Sequence, residues 1–120
     1  MTSRTDEERL TDILDRIERI KFAEIAFEKA EVDRDTGEDA QIVYDAILYN
    51  LLVIGEAVKG LTEEITSRNS AIPWKEIAKL RDILAHKYFR VDSAVIRTVL
   101  NAPLENLRGT CKVELDKLAK

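Results

Sequence analysis

A chain of 120 residues with 45% hydrophobic side chains fits one folded domain with a real core and argues against disorder. One cysteine cannot close an internal disulfide, and one cysteine with one histidine cannot build a structural zinc site. A net charge of −4 argues at first sight against nucleic acid, while four Gly and two Pro among 35% charged residues point to long helices and few turns.

The first predicted helix starts at Thr5. Thr5 and Glu8 have the spacing of a capping box, and acids fill the first turn. Leu10, Ile13, Leu14, Ile17 and Ile20 recur at helical spacing, and the pattern runs through Ile25 and Phe27 to about Val32. The polar stretch Asp33 to Glu38, with Gly37 in it, reads as a turn. A second helix is expected from about Asp39 to Lys59, with Ile42, Val43, Ala46, Ile47, Val53, Ile54, Ala57 and Val58 inward. Gly60 stands where a left-handed C-terminal cap is wanted. Glu63 to Ser67 reads as a short helical turn and residues 67–70 as loop.

Pro73 suits the first turn of a third long helix, from about Trp74 to Tyr88, with Ile77, Leu80, Ile83 and Leu84 as its apolar stripe. Asp92 can cap a further helix that turns Val95, Ile96, Val99 and Leu100 inward. Pro103 interrupts it and opens a last helix to about Leu118. No stretch alternates with period two. The expectation is an all-α antiparallel helical bundle of four to five helices, one domain over residues 1–120. The charged N-terminus lacks the apolar stretch of a signal peptide. The most apolar segment, Ala46 to Gly55, is interrupted by Asn50 and is too short to span a bilayer, so a cytoplasmic location is expected.

Charge is uneven along the chain. Residues 1–40 carry a net −6, residues 41–58 hold only Asp45 and Glu56, and residues 59–120 carry a net +4. The basic half surrounds the single histidine. The plain reading is that helix surfaces carry mixed charge; the other is an electrostatic footprint for an anionic partner.

The chemistry-bearing segment is the run from Ile72 to Asp92, in which Arg81, His86 and Tyr88 stand as R-x4-H-x-Y. Histidine transfers protons near neutral pH, and arginine offers a permanent charge and a fork that fits phosphate. Together they suit chemistry in which one proton is taken, another is given and charge builds on a phosphate. One His per chain is short of two-proton chemistry, and a symmetric dimer supplies two. Arg81 and His86 lie about 140° apart on a regular helix, whereas Asp82 and His86 share a face, as do Arg81 and Tyr88. Asp82 can therefore orient the imidazole. Glu56, alone in an apolar stretch, either holds Arg81 or another cation or helps build the site. The plain alternatives are a dipole-stabilising His86, an Arg81–Asp82 surface ion pair, and Tyr88 and Phe89 as core aromatics. Trp74 reads as core or as a helix-entry anchor, and Cys111 as inert.

R-x4-H-x-Y, with Ile-Pro-Trp before it, Arg81-Asp82 at its start, Tyr-Phe and Val-Asp after it, and Ile54-Gly55-Glu56-Ala57 upstream, resembles the HepT-like toxins of the HEPN superfamily over roughly residues 8–118. The resemblance implies a HEPN-like homodimer and a metal-independent endoribonuclease whose two motifs meet at the interface. Arg81 and His86 would be catalytic, with Asp82, Tyr88 and Glu56 in support. It implies a type VII toxin–antitoxin system, in which an MntA-like minimal nucleotidyltransferase transfers AMP from ATP to Tyr88. An AMP there would set a phosphate toward Arg81 and occupy the RNA site. No cofactor or metal is implied. The second reading is a non-catalytic helical dimer that binds and serves a nucleotidyltransferase. Paired E-x-x-H motifs, a P-loop and a G-x-G-x-x-G fingerprint are all missing from the sequence.

Overall fold

The computed structural model describes residues 4–29, 38–87 and 102–119. Among these residues every regular element is a helix: α1 (Asp6–Lys29), α2 (Glu38–Lys59), α3 (Glu63–Arg68), α4 (Trp74–Lys87) and α5 (Ala102–Leu118). Of the turn expected over residues 33–38, residues 33–37 lie outside the described residues and Glu38 is the first residue of α2; the helix after Asp92 and the surroundings of Tyr88 also lie outside them.

Each helix boundary has a local cause. At the start of α1 the Thr5 N–H donates to Glu8 Oε1 at 3.1 Å and the Glu8 N–H donates to Thr5 Oγ1 at 3.1 Å. Those reciprocal bonds satisfy two backbone donors that the helix itself cannot. The end of α2 differs from expectation. No described glycine has a positive φ. The Gly60 and Leu61 N–H groups instead bond back to Ala57 and Val58 carbonyls, tightening the last turn without a left-handed residue. Thr62 then donates from its N–H and its hydroxyl to Asp6, at 3.1 and 2.7 Å, which clasps the end of α2 to the start of α1. α3 runs through Ser67 and one residue further, to Arg68, a residue expected in a loop. Pro73 lies one residue ahead of α4, and its carbonyl accepts the first bond of that helix from Ile77.

The packing follows the apolar stripes. α1 lies along α2, α2 along α4, and α5 along α1. Leu10, Ile13, Ile17 and Ile20 of α1 are fully buried, facing a core that includes Leu51 and Ile54 of α2, Leu80 and Leu84 of α4, and Leu104, Leu107 and Cys111 of α5. Full burial of one such aliphatic side chain is worth about 1.5–3 kcal/mol. Leu51, Ile54, Ile77, Leu80, Pro103, Leu104 and Leu107 line a small apolar crevice where α2, α4 and α5 meet. Asn50, which interrupts the apolar run of α2, is buried but satisfied: its Nδ2 donates to the Ala46 carbonyl, and its Oδ1 accepts from Arg16 of α1. Not every apolar residue read as inward is so. Ile25, Ile42 and Ile83 are exposed. Trp74 is buried at the entrance of α4, its indole N–H donating to the Asn69 carbonyl at 2.9 Å.

Candidate active site around Arg81

α4 is continuous from Trp74 to Lys87 and so carries Arg81, Asp82 and His86 on one helix. Buried Leu80 and Leu84 hold this stretch against the core and leave Arg81 half-buried at the α2–α4 seam. There α2 supplies Glu56. The Arg81 Nε forms an ion pair with Glu56 Oε2 at 2.7 Å, and Nη1 donates to Asp82 Oδ1 at 2.8 Å. The hydrogen bond to Asp82 and then the charge of Glu56 raise the Arg81 pKa above its ordinary range. Both carboxylates are substantially open to solvent, so the ion pairs themselves add little stability. Their effect is orientation. A guanidinium has five N–H donors, and the two acids engage Nε and Nη1, leaving the Nη2 edge to neither. An oriented donor edge of fixed positive charge suits a phosphate oxygen.

The alternatives for Glu56 are thereby narrowed: it holds Arg81. The Arg81–Asp82 pair also forms, as a three-member group with Glu56 rather than as an isolated surface pair. His86 is placed by its helix position, about 140° around and about 7.5 Å along α4 from Arg81, while positions 82 and 86 share a face. The side chain of His86 and the whole of Tyr88 lie outside the described residues. Cys111 is buried in α5, and burial, then the charge of Glu114, pushes its thiol up to about 12, so it offers no nucleophile.

Comparison with known proteins identifies the family. A family model described as Ribonuclease HepT-like matches residues 8–113, the region that holds Glu56, Arg81, Asp82, His86 and Tyr88. The chain is 33% identical over 119 residues to the "Probable ribonuclease HepT" of Thermococcus cleftensis, covering 98% of each chain. It is 37% identical over 101 residues to a "Putative RNase" of Caldanaerobacter subterraneus subsp. tengcongensis, covering 84% of this chain and 82% of that one. A third relative, the "Gamma-glutamylcyclotransferase and putative RNase" of Methanocaldococcus jannaschii, is 36% identical over 111 residues; this chain spans 92% of its own length there and 48% of that longer protein. No solved structure matches. By the match over residues 8–113, the chain belongs to the HepT-like ribonuclease family of the HEPN superfamily.

Proposed function

We propose that this chain is a metal-independent endoribonuclease that acts as a homodimer, in the cytoplasm, as the toxin of a type VII toxin–antitoxin pair. The observation that carries the proposal is the Arg81 guanidinium, held from two sides by Glu56 and Asp82 on the helix that also bears His86. In the proposed reaction the ribose 2′-oxygen attacks the adjacent phosphorus, His86 of one protomer takes its proton, and the 5′-oxygen leaves with a proton from His86 of the other. Arg81 stabilises the charge that builds on the phosphate oxygens. The products are a 2′,3′-cyclic phosphate and a 5′-hydroxyl. Control is proposed to come from an MntA-like nucleotidyltransferase: the Tyr88 phenol oxygen attacks the α-phosphorus of ATP, pyrophosphate leaves, and the phenolic proton passes to solvent.

The test is cleavage of RNA by the purified chain in excess chelator. Cyclic-phosphate ends are expected, with loss of activity in His86→Ala and unchanged helix content. Cleavage that persists in His86→Ala would sink the catalytic assignment. The second reading, a non-catalytic dimer that serves a nucleotidyltransferase, is favoured by one observation: two carboxylates already surround Arg81, as in a purely structural ion pair. AMP added to Tyr88 by the partner enzyme and ATP, with no RNA cleavage by the unmodified chain, would support that reading instead.

A further inference from the structure

Gly55 precedes Glu56 in the middle of α2, where a glycine weakens a helix relative to alanine. Its φ is not positive, so backbone conformation does not require it. Space does. A Cβ on Gly55 would stand 2.6 Å from Arg81 Cβ, 3.0 Å from the Ile77 carbonyl oxygen and 3.1 Å from the Arg81 backbone nitrogen. Two of those atoms belong to the α4 backbone and the third is rigidly attached to it, so none can swing aside. The bare Cα is what lets α4 lie this close to α2 at Arg81. From that separation the Glu56 carboxylate reaches Nε at 2.7 Å.

We infer that Gly55 is a positioning residue: it sets the α2–α4 spacing at which Glu56 grips Arg81 and aims the guanidinium at the phosphate. The inference rests on the ribonuclease reading for its effect on activity, but not for its effect on geometry. Restoring ordinary contact in Gly55→Ala requires the helices to part by about 1 Å at Arg81, and misplacement of that size costs about 100-fold in rate.

The experiment combines two readouts on the full chain. The first is the Arg81 Nε–H resonance by NMR, expected to exchange slowly with water in the wild type and to lose that protection in Gly55→Ala. The second is RNA cleavage in Gly55→Ala, in Glu56→Gln and in the double variant. Gly55→Ala is expected to lower kcat about 100-fold with KM changed far less, and the double variant to be no worse than the poorer single one, because both disable the same contact. Additive losses, or a loss no greater than that of an Ile13→Val variant of equal thermal stability, would show a generic packing role and overturn the inference. So would an unchanged Nε–H signal. Should Gly55→Ala fail to fold, Glu56→Asp, at an exposed position and one methylene short, tests the same spacing; retained protection and retained cleavage there overturn it equally. A wild type that cleaves no RNA, yet loses Nε–H protection in Gly55→Ala, would refute the ribonuclease reading and leave the positioning intact.

Discussion

Arg81 is held as arginine rather than merely as positive charge. Its Nε and Nη1 meet carboxylates on two different helices. A lysine ammonium is a point charge on a flexible stem and cannot keep that geometry. Arg81→Lys is therefore expected to leave the thermal midpoint nearly unchanged and to lower kcat for RNA by about 100-fold or more, the scale of losing one preorganised donor at a developing oxyanion. Steady-state kinetics beside a thermal melt checks both halves. Much of this residue-level picture is legible in the sequence, because the arginine, the aspartate and the histidine sit within six positions on one helix. The grip of Glu56 is legible only as one option among others, holding Arg81, holding another cation or helping to build the site. It joins residues far apart in sequence, and the spacing of apolar residues does not say which surfaces of two helices will meet.

The helices themselves separate local from non-local information. The Thr5–Glu8 box is readable because both partners lie within one turn. The end of α2 at Lys59 and the start of α4 at Trp74 fall where the sequence puts them. Ile42 and Ile83 are misread as inward because periodicity reports which side of a helix is apolar, not how wide a face its neighbours cover. Glycine shows the same divide. Gly55 and Gly109 both lie inside helices, yet a Cβ on Gly109 would meet nothing within 4 Å. Gly109→Ala therefore removes backbone freedom from the unfolded chain at no steric cost. It is expected to stabilise the fold by about 0.5–1 kcal/mol, a rise of a few degrees in Tm measured by circular dichroism.

Across the whole molecule, a polar knot adds to the core that Ile65, Leu84 and Leu107 already share between α3, α4 and α5. Glu114 of α5 is 1% exposed. It accepts from Arg68 at the end of α3 through both carboxylate oxygens, and from Asn69 Nδ2 at 2.9 Å. Asn69 in turn receives the Trp74 indole, so the α3–α4 corner is fastened to α5 by one chain of bonds. Hydrogen bonding to Arg68 is the main cause that holds the Glu114 carboxyl near 2 against its ordinary 4.5. The folded pKa is the lower one, so the unfolded chain binds the proton first as pH falls. The contribution is whole above about pH 5, shrinks from about 4.5 downward, and is gone near pH 2. Allowing for solvent around the half-exposed guanidinium, it is on the order of 2 kcal/mol. Glu114→Gln should flatten that acid limb of the stability curve in urea titrations run from pH 7 to pH 3. Arg68→Ala, which strands a buried carboxylate, should cost about 3 kcal/mol at pH 7. Neither partner is marked in the sequence, since the bond spans 46 positions.

The burial of Cys111 has a use that concerns kinetics rather than chemistry. A thiol with no exposed surface and a pKa pushed up to about 12 reacts with an alkylating reagent only when α5 leaves the core. As the chain's sole sulfhydryl, it makes the labelling rate a direct clock for that opening. The Arg68–Glu114 knot lies one helical turn away, so the same clock, read with and without the knot, times how long the bundle stays shut.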